Sequence, residues 1–298
     1  VTTLPWLWAV FTVIAAFAQT VRNAMQRELT GSLGTLGATH VRFLFGFPFA
    51  LVFLAGVTLW TGAPLPHPRW TFWLWVCGGS AAQIAATALM LAAMGERSFV
   101  VTIAYIKTEP IQVAIFGLIF LGDAVTLPMM AAIIIATAGV VIMSTKPGGM
   151  IGGIKPTLLG LASGGMFALS AIGYRGGILD LHLPNFVLAA TFTLAVGLIV
   201  TTAMLSFYLV VRAPSVMPAI MRVWKRSLFA GFMGAFASQF WFLAFALATA
   251  ASVRTLALVE VLFAQLIARF AFGQRTSARE VIGMALVVAG VVLLILAY

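Results

Sequence analysis

Apolar residues fall along this chain in long continuous runs. They show neither the alternation of a half-buried strand nor the narrow stripe of a soluble helix. A helix crossing a bilayer needs about 20 mostly apolar residues, at about 1.5 Å each. That ruler predicts ten spans: 5–24, 35–60, 70–94, 98–121 and 127–144, then 156–177, 184–211, 224–247, 249–272 and 278–297. The connections are short, and the longest, through 146–155, is rich in glycine and lysine. It reads as the linker between a first unit, 1–145, and a second, 156–298.

Composition agrees with that pattern. Of 298 residues, 62% are hydrophobic and 8% charged, with a mean hydropathy of +1.11. A soluble domain is about 45–50% apolar and about 25% charged, so a soluble globule is excluded and an all-α integral membrane protein is expected. An outer-membrane barrel is excluded by the continuity of the runs. The net charge of +10 does not read as a nucleic-acid signature, because the basic residues stand singly or in small clusters between apolar runs. Cys77 lies alone in an apolar run, which excludes a disulfide and a thiolate cluster. The first run is too long for a signal-peptide core and is read as a retained span.

A shift of 151 residues brings the two halves into register without a gap. Pro5 falls on Pro156, Ala38 on Ala189, Gly46 on Gly197, Trp73 on Trp224 and Gly122 on Gly273, and residues 138–141 fall on 289–292. Glu109 falls on Glu260 in a chain with only seven acidic residues, which makes that match the most informative. Fixed-period self-similarity marks architecture. Five spans per repeat is an odd number, so the second repeat enters from the opposite face and the halves are expected to be inverted. Inverted repeats are characteristic of secondary transporters, whose site lies near the midplane.

Arg22, Arg27, Arg97, Lys146, Lys155, Arg212, Arg222, Lys225, Arg226, Arg275 and Arg279 fall in odd-numbered connections, against Arg69 and Arg175 in even ones. The positive-inside rule then places the odd connections in the cytoplasm and both termini outside, in a multi-pass inner-membrane protein.

Glu109-Pro110 in the fourth span, Leu121-Gly122-Asp123 closing it, Ala138-Gly139-Val140 in the fifth, and Phe272-Gly273-Gln274 and Ala289-Gly290-Val291 at the matching places carry a resemblance. With the five-plus-five plan, the chain resembles the drug/metabolite transporter superfamily, in particular its EamA-type ten-helix exporters, over nearly its whole length. Arg42 matches a basic residue common in the second span of that family. The sequence departs from the pattern at Val261, Gln274 and Thr193. The resemblance implies a small metabolite as substrate, with aromatic and other amino-acid exporters among the relatives. It also implies a cavity lined by spans one, three, four, six, eight and nine.

Charges inside spans each cost roughly 2.5–3.5 kcal/mol on insertion scales, so they point to partners, water or function. Glu109 and Glu260 each lie about 16 Å into their spans and are candidates for a substrate ammonium or a coupling proton, or else a buried structural pair. Lys107 is two residues from Glu109 and faces elsewhere on an ideal helix, but Pro110 removes a backbone donor and favours a local break that would bring them closer. Tyr105, Glu109, Gln112 and Phe116 share a helical face, as do Gln83, Thr87, Met90 and Met94, whose repeat mates are Gly234, Ser238, Trp241 and Phe245. Together they would wall an amphipathic cavity. Arg42, with His40 nearby, could hold a carboxylate, pair with Glu109 or gate. Arg254 and Arg269 are near span ends and are expected to snorkel. Ala132, Ala136, Gly139, Gly283 and Gly290 are expected to let spans five and ten approach neighbours closely.

No phosphate-cradling loop, metal spacing among His40, His67 and His182, or nucleophile with an evident base is present, so no enzyme, cofactor or metal is expected. The expected function is secondary export of amino acids or similar amphipathic metabolites by alternating access. The alternatives are a sugar-phosphate, nucleotide-sugar or drug carrier of the same fold, and, further off, a lipid-modifying membrane enzyme. The expected partners are a small-molecule substrate and the bilayer, without nucleic acid; nothing specifies an oligomer.

Overall fold

The computed structural model of the chain describes residues 5–96, 105–144, 154–263, 265–266 and 277–297, and among these it is all-helical. In chain order the helices are α1 (Leu7–Leu44), α2 (Phe47–Thr61), α3 (Trp70–Glu96), α4 (Glu109–Leu121), α5 (Leu127–Ser144), α6 (Ile154–Asp180), α7 (Phe186–Arg212), α8 (Val216–Arg222), α9 (Trp224–Leu247), α10 (Ala250–Leu256) and α11 (Ala278–Ala297). A 3-10 turn, Ala257–Val259, follows α10.

Among the described residues, six helical segments are long and apolar enough to cross a membrane: Leu33–Thr61, Trp70–Met90, Thr157–Asp180, Phe186–Arg212, Trp224–Leu247 and Ala278–Ala297. Leu7–Arg22, Glu109–Leu121 and Leu127–Met143 are apolar but shorter. Large apolar side chains face outward along these helices, among them Leu59, Leu127, Phe207 and Leu296. A surface so apolar suits hydrocarbon rather than water. Exposed Trp6, Trp60, Trp70 and Trp224 stand at helix ends, where amphipathic rings sit at the headgroup level of a bilayer.

The differences from the expected spans have local causes. The stretch 25–34 reads by hydropathy as a connection, yet 25–33 remains helical. Its polar residues include Gln26, Arg27 and Glu28, which are good helix formers, so polarity there does not end the helix. The break falls at Gly34, with φ 66° and ψ 174°, a conformation open to glycine and strained for other residues. The second span turns at Phe45–Gly46, because Pro48, in the first turn of α2, lacks the amide that would continue the helix before it. The connection after α7 folds into α8, whose Val216, Met217 and Ile220 pack on Leu29, Leu33, Ala38, Val41 and Ala230. Helices α5, α9 and α11 have the ends expected for the fifth, eighth and tenth spans. Residues 98–104, 145–153, 264 and 267–272, and with them Arg269 and most of the linker, lie outside the described residues.

Packing divides the chain into two compact units, Val1–Ile84 with Gly173–Ala248, and Ala85–Ile172 with Thr249–Tyr298. Each takes segments from both sides of the 146–155 linker, and α3 and α6 contribute to both.

In the first unit, α1 packs on α9, and α7 on α2 and α9. The start of α3 and the end of α6 meet through small residues: a Cβ on Gly173 would stand 2.7 Å from the Gly79 Cα, and one on Gly176 would enter the Trp75 ring. Thr71 donates to both oxygens of Asp180 at 2.9 and 2.8 Å at one end of this contact. Arg175 donates to the carbonyls of Phe245 and Ala248 and so caps the end of α9, where a cation meets the negative pole of the helix. It was expected in an extracytoplasmic connection; with 8% of its surface exposed, it is a buried cap.

In the second unit, α5 packs along α11. An added Cβ on Gly139 would lie 2.6 Å from the Gly283 carbonyl oxygen, and one on Gly290 would lie 2.7 Å from the Ala136 Cβ. The small residues at 132–139 and 283–290 bring these two helices together, as expected from the sequence. Without a hydrophobic drive between helices in lipid, such close packing is what holds them.

Candidate functional site

The second unit carries the charged cluster. Its geometry begins with two interruptions of helix. In the fourth span, 107–108 form a turn. The Thr108 amide and hydroxyl both donate to the Tyr105 carbonyl, at 3.2 and 2.6 Å, and α4 starts only at Glu109. Pro110 then sits in the first turn, where the missing amide costs nothing. The turn at 107–108 stands immediately before Glu109-Pro110, where the sequence predicts a break.

The second interruption is the 3-10 turn Ala257–Val259, immediately before Glu260. Shifted back by 151 residues it falls on 106–108. No proline follows it, since Val261 stands in the place of Pro110. Here the chain tightens instead: the Ala257 amide bonds back to the carbonyls of Thr255 and Val253. Upstream, Thr249 accepts from the Ser252 amide at 3.2 Å and caps α10, so α10 is a short helix fixed at both ends.

These interruptions present four charges to one another. Lys107 forms an ion pair with Glu260. Arg254 Nε lies 3.2 Å from Glu109 Oε1, a second ion pair. Lys107 also lies within electrostatic reach of Glu109 and Arg254, so the two pairs form one cluster of two cations and two carboxylates. Each carboxylate is held by the cation of the other half of the sequence. The side chains are mostly buried, yet all four keep between 12% and 20% of their surface accessible. The cluster is therefore not sealed.

Arg254 corrects its expected placement. It does not snorkel as an isolated interfacial charge but turns to Glu109. Two carboxylates in the fourth and ninth spans, against Lys107, Arg254 and Arg269, were the signal that could have found it. Lys107 pairs with Glu260 and not with its near neighbour in sequence.

Tyr105 and Gln112 lie against the start of α6. A Cβ on Gly160 would meet Tyr105 at 2.7 Å, and one on Gly165 would meet Gln112 at 2.7 Å. Gln112 donates to the Leu161 carbonyl at 3.3 Å and to the Thr108 hydroxyl at 3.4 Å. The glutamine thereby ties the broken segment to α6.

The other expected site residues, Gln83, Ser238, Trp241 and Arg42, fall in the first unit. Gln83 is buried and Ser238 half-buried. Trp241 donates to Gln19 at 3.2 Å and stacks on Phe245 with centroids 6.5 Å apart. The Arg42 guanidinium lies 4.4 Å from the Phe43 ring centroid, and its stem, with that of Arg22, passes the α-carbon face of Gly234. His40 is fully buried and meets the Ser206 hydroxyl at 2.9 Å. Sequence reasoning missed that bond, as it missed the Tyr174 hydroxyl placed 3.2 Å from both Ser80 and Thr201.

No family model matches the chain, and no curated protein matches it. Among solved structures, one described only as the crystal structure of a protein superposes with a TM-score of 0.75 at 16% identity, covering 99% of this chain and 98% of the other. At that identity the likeness speaks for the fold alone.

Proposed function

We propose that the chain is a secondary transporter of the drug/metabolite type, with ten spans in two inverted five-helix repeats and both termini outside the inner membrane. It exports amino acids or similar small amphipathic metabolites by alternating access. The observation that carries this reading is the cluster of Lys107, Glu109, Arg254 and Glu260 at two interrupted helices. Ionisable groups within spans are expensive and mark substrate or ion paths. Broken helices are tolerated at membrane depth only within protein or beside a cavity, and transporters place their sites at such breaks. The equivalence of the two interruptions under the 151-residue shift supports the repeat.

A carrier of phosphate esters is the second reading. Arg22 and Arg42, brought together beside Gly234, are the observation that favours it. It is the weaker of the two, because Lys107 and Arg254 already meet carboxylates.

Counterflow in proteoliposomes separates the readings. Vesicles preloaded with unlabelled neutral amino acids are expected to accumulate the labelled form transiently, and vesicles preloaded with phosphate esters are not. Exchange of phosphate esters without amino-acid counterflow would replace the first reading with the second. Product formation from a lipid in detergent, with no counterflow, would make the protein an enzyme.

A further inference from the structure

The four charges at the two breaks sum to zero, and each pair joins one cation to one carboxylate. That balance has a consequence for any ligand that enters among them. In a low-dielectric site an uncompensated charge is costly. A ligand carrying both a cation and an anion can displace one side chain of a pair and supply its like in return. The ligand's ammonium then faces a carboxylate freed from Lys107 or Arg254, and its carboxylate faces the cation so released. The cluster's charges stay balanced, two of each sign before and three of each after. A ligand of net positive or negative charge leaves the cluster with one charge unmatched.

Burial favours exchange over simple addition. Glu109 and Glu260 keep 13% and 12% of their side-chain surfaces accessible, and Arg254 and Lys107 keep 18% and 20%. A ligand reaching the cluster therefore meets paired charges at their accessible edges rather than a vacant pocket of one sign. The turn at 107–108 and the 3-10 turn at 257–259 set both pairs on short, interrupted segments rather than on rigid mid-helix positions. Small rotations there part an ion pair without unwinding a whole span.

We infer that the charge balance of Lys107, Glu109, Arg254 and Glu260 sets the net charge of the transported molecule: the intact cluster selects a net-neutral dipolar ion, and removing one of the four charges redirects selection to a ligand bearing the missing sign. This rests on the transporter reading. It adds a rule of selectivity that fold and resemblance do not supply.

The test uses three probes with one side chain and three net charges: phenylalanine, phenylalaninamide and N-acetylphenylalanine, at a pH near 6 where the amide is a cation. Wild-type counterflow is expected to favour phenylalanine over both others by about tenfold, equivalent to ~1.4 kcal/mol. Glu109→Gln leaves the cluster one positive charge in excess and is expected to raise the N-acetyl anion relative to phenylalanine by about tenfold. Lys107→Gln leaves one negative charge in excess and is expected to raise the amide likewise. Glu260→Gln and Arg254→Gln reach the same two charge states by the other pair, so each state is testable if one variant does not fold. Variants that transport with the wild-type charge order, or that lose all three probes in proportion, overturn the inference and leave the transporter reading intact. A wild-type protein that carries none of the probes but exchanges phosphate esters overturns both.

Discussion

Lys107→Met is expected to destabilise the folded protein by about 3–5 kcal/mol, and Glu260→Gln in the same chain to recover most of that loss. The reasoning is electrostatic. Lys107 and Glu260 form an ion pair while keeping only 20% and 12% of their side-chain surfaces accessible. Removing the ammonium leaves a carboxylate in a poorly hydrated site with its partner gone, which is the expensive way to break a buried pair. Replacing both partners with neutral groups removes the uncompensated charge together with the attraction, so the double variant is expected within about 1–2 kcal/mol of wild type. Thermal or denaturant unfolding in detergent measures both. A double variant as unstable as the sum of its parts would mean that the two side chains do not interact.

Gly283→Leu is the second large effect. An added Cβ at 283 would stand 2.5 Å from the Gly139 carbonyl oxygen, 2.7 Å from the Met143 Cβ and 3.1 Å from the Met143 amide nitrogen. Two of those atoms are backbone and cannot rotate away, so α5 and α11 must separate. Overpacking typically costs about 1–3 kcal/mol and more where backbone must move. In lipid, separated helices gain no hydrophobic return that would draw them together again. The expected result is a loss of about 3 kcal/mol or more, seen as a lower unfolding midpoint and a lower yield of monodisperse protein. Gly56→Leu is the control: nothing lies within 4 Å of its added Cβ, and its helix presents it outward. Equal losses for the two variants would show that side-chain volume in lipid, rather than contact between α5 and α11, is what the first substitution disturbs.

These two sites also show what the sequence could carry. The contact of Gly139 with Gly283 was legible because small residues at helical spacing in a span have one main physical use, close approach, and both spans carry them. The ends of α5, α9 and α11 were legible because each begins or ends where hydropathy and turn residues change together. The continuation of α1 through 25–33 was not, since hydropathy reports the boundary of hydrocarbon and not the end of hydrogen bonding. Gly34 ends that helix by conformation rather than by polarity.

The candidate site was legible in Lys107, Glu109 and Glu260 but not in Arg254 or in its wiring. Inserted charge points to Lys107, Glu109 and Glu260, together with Arg42, which falls in the first unit, and Arg254 and Arg269, which were expected to snorkel. Pro110 announces the first interruption, because a missing amide is written in the sequence. The interruption at 257–259 carries no such mark: Val261 replaces the proline, and the turn follows from the tightening of the backbone after α10. Pairing is a three-dimensional property. Lys107 stands two residues from Glu109 but meets a carboxylate 153 positions away, and no local spacing rule joins Arg254 to Glu109. Tyr105 and Gln112 share a face with Glu109, as periodicity requires, but the glycines at 160, 164 and 165 let α6 occupy that face.

In the proposed alternating access, the interrupted segments are reached in turn from the two sides of the membrane. Thr108, half-buried in the first interruption, is the place to test it. With Cys77 replaced by serine, Thr108→Cys in right-side-out and inside-out vesicles is treated with a membrane-impermeant maleimide. The expected result is labelling from both sides, at rates that a saturating transported substrate shifts in opposite directions. Labelling from one side only, unaffected by substrate, or from neither side would contradict alternating access at this site.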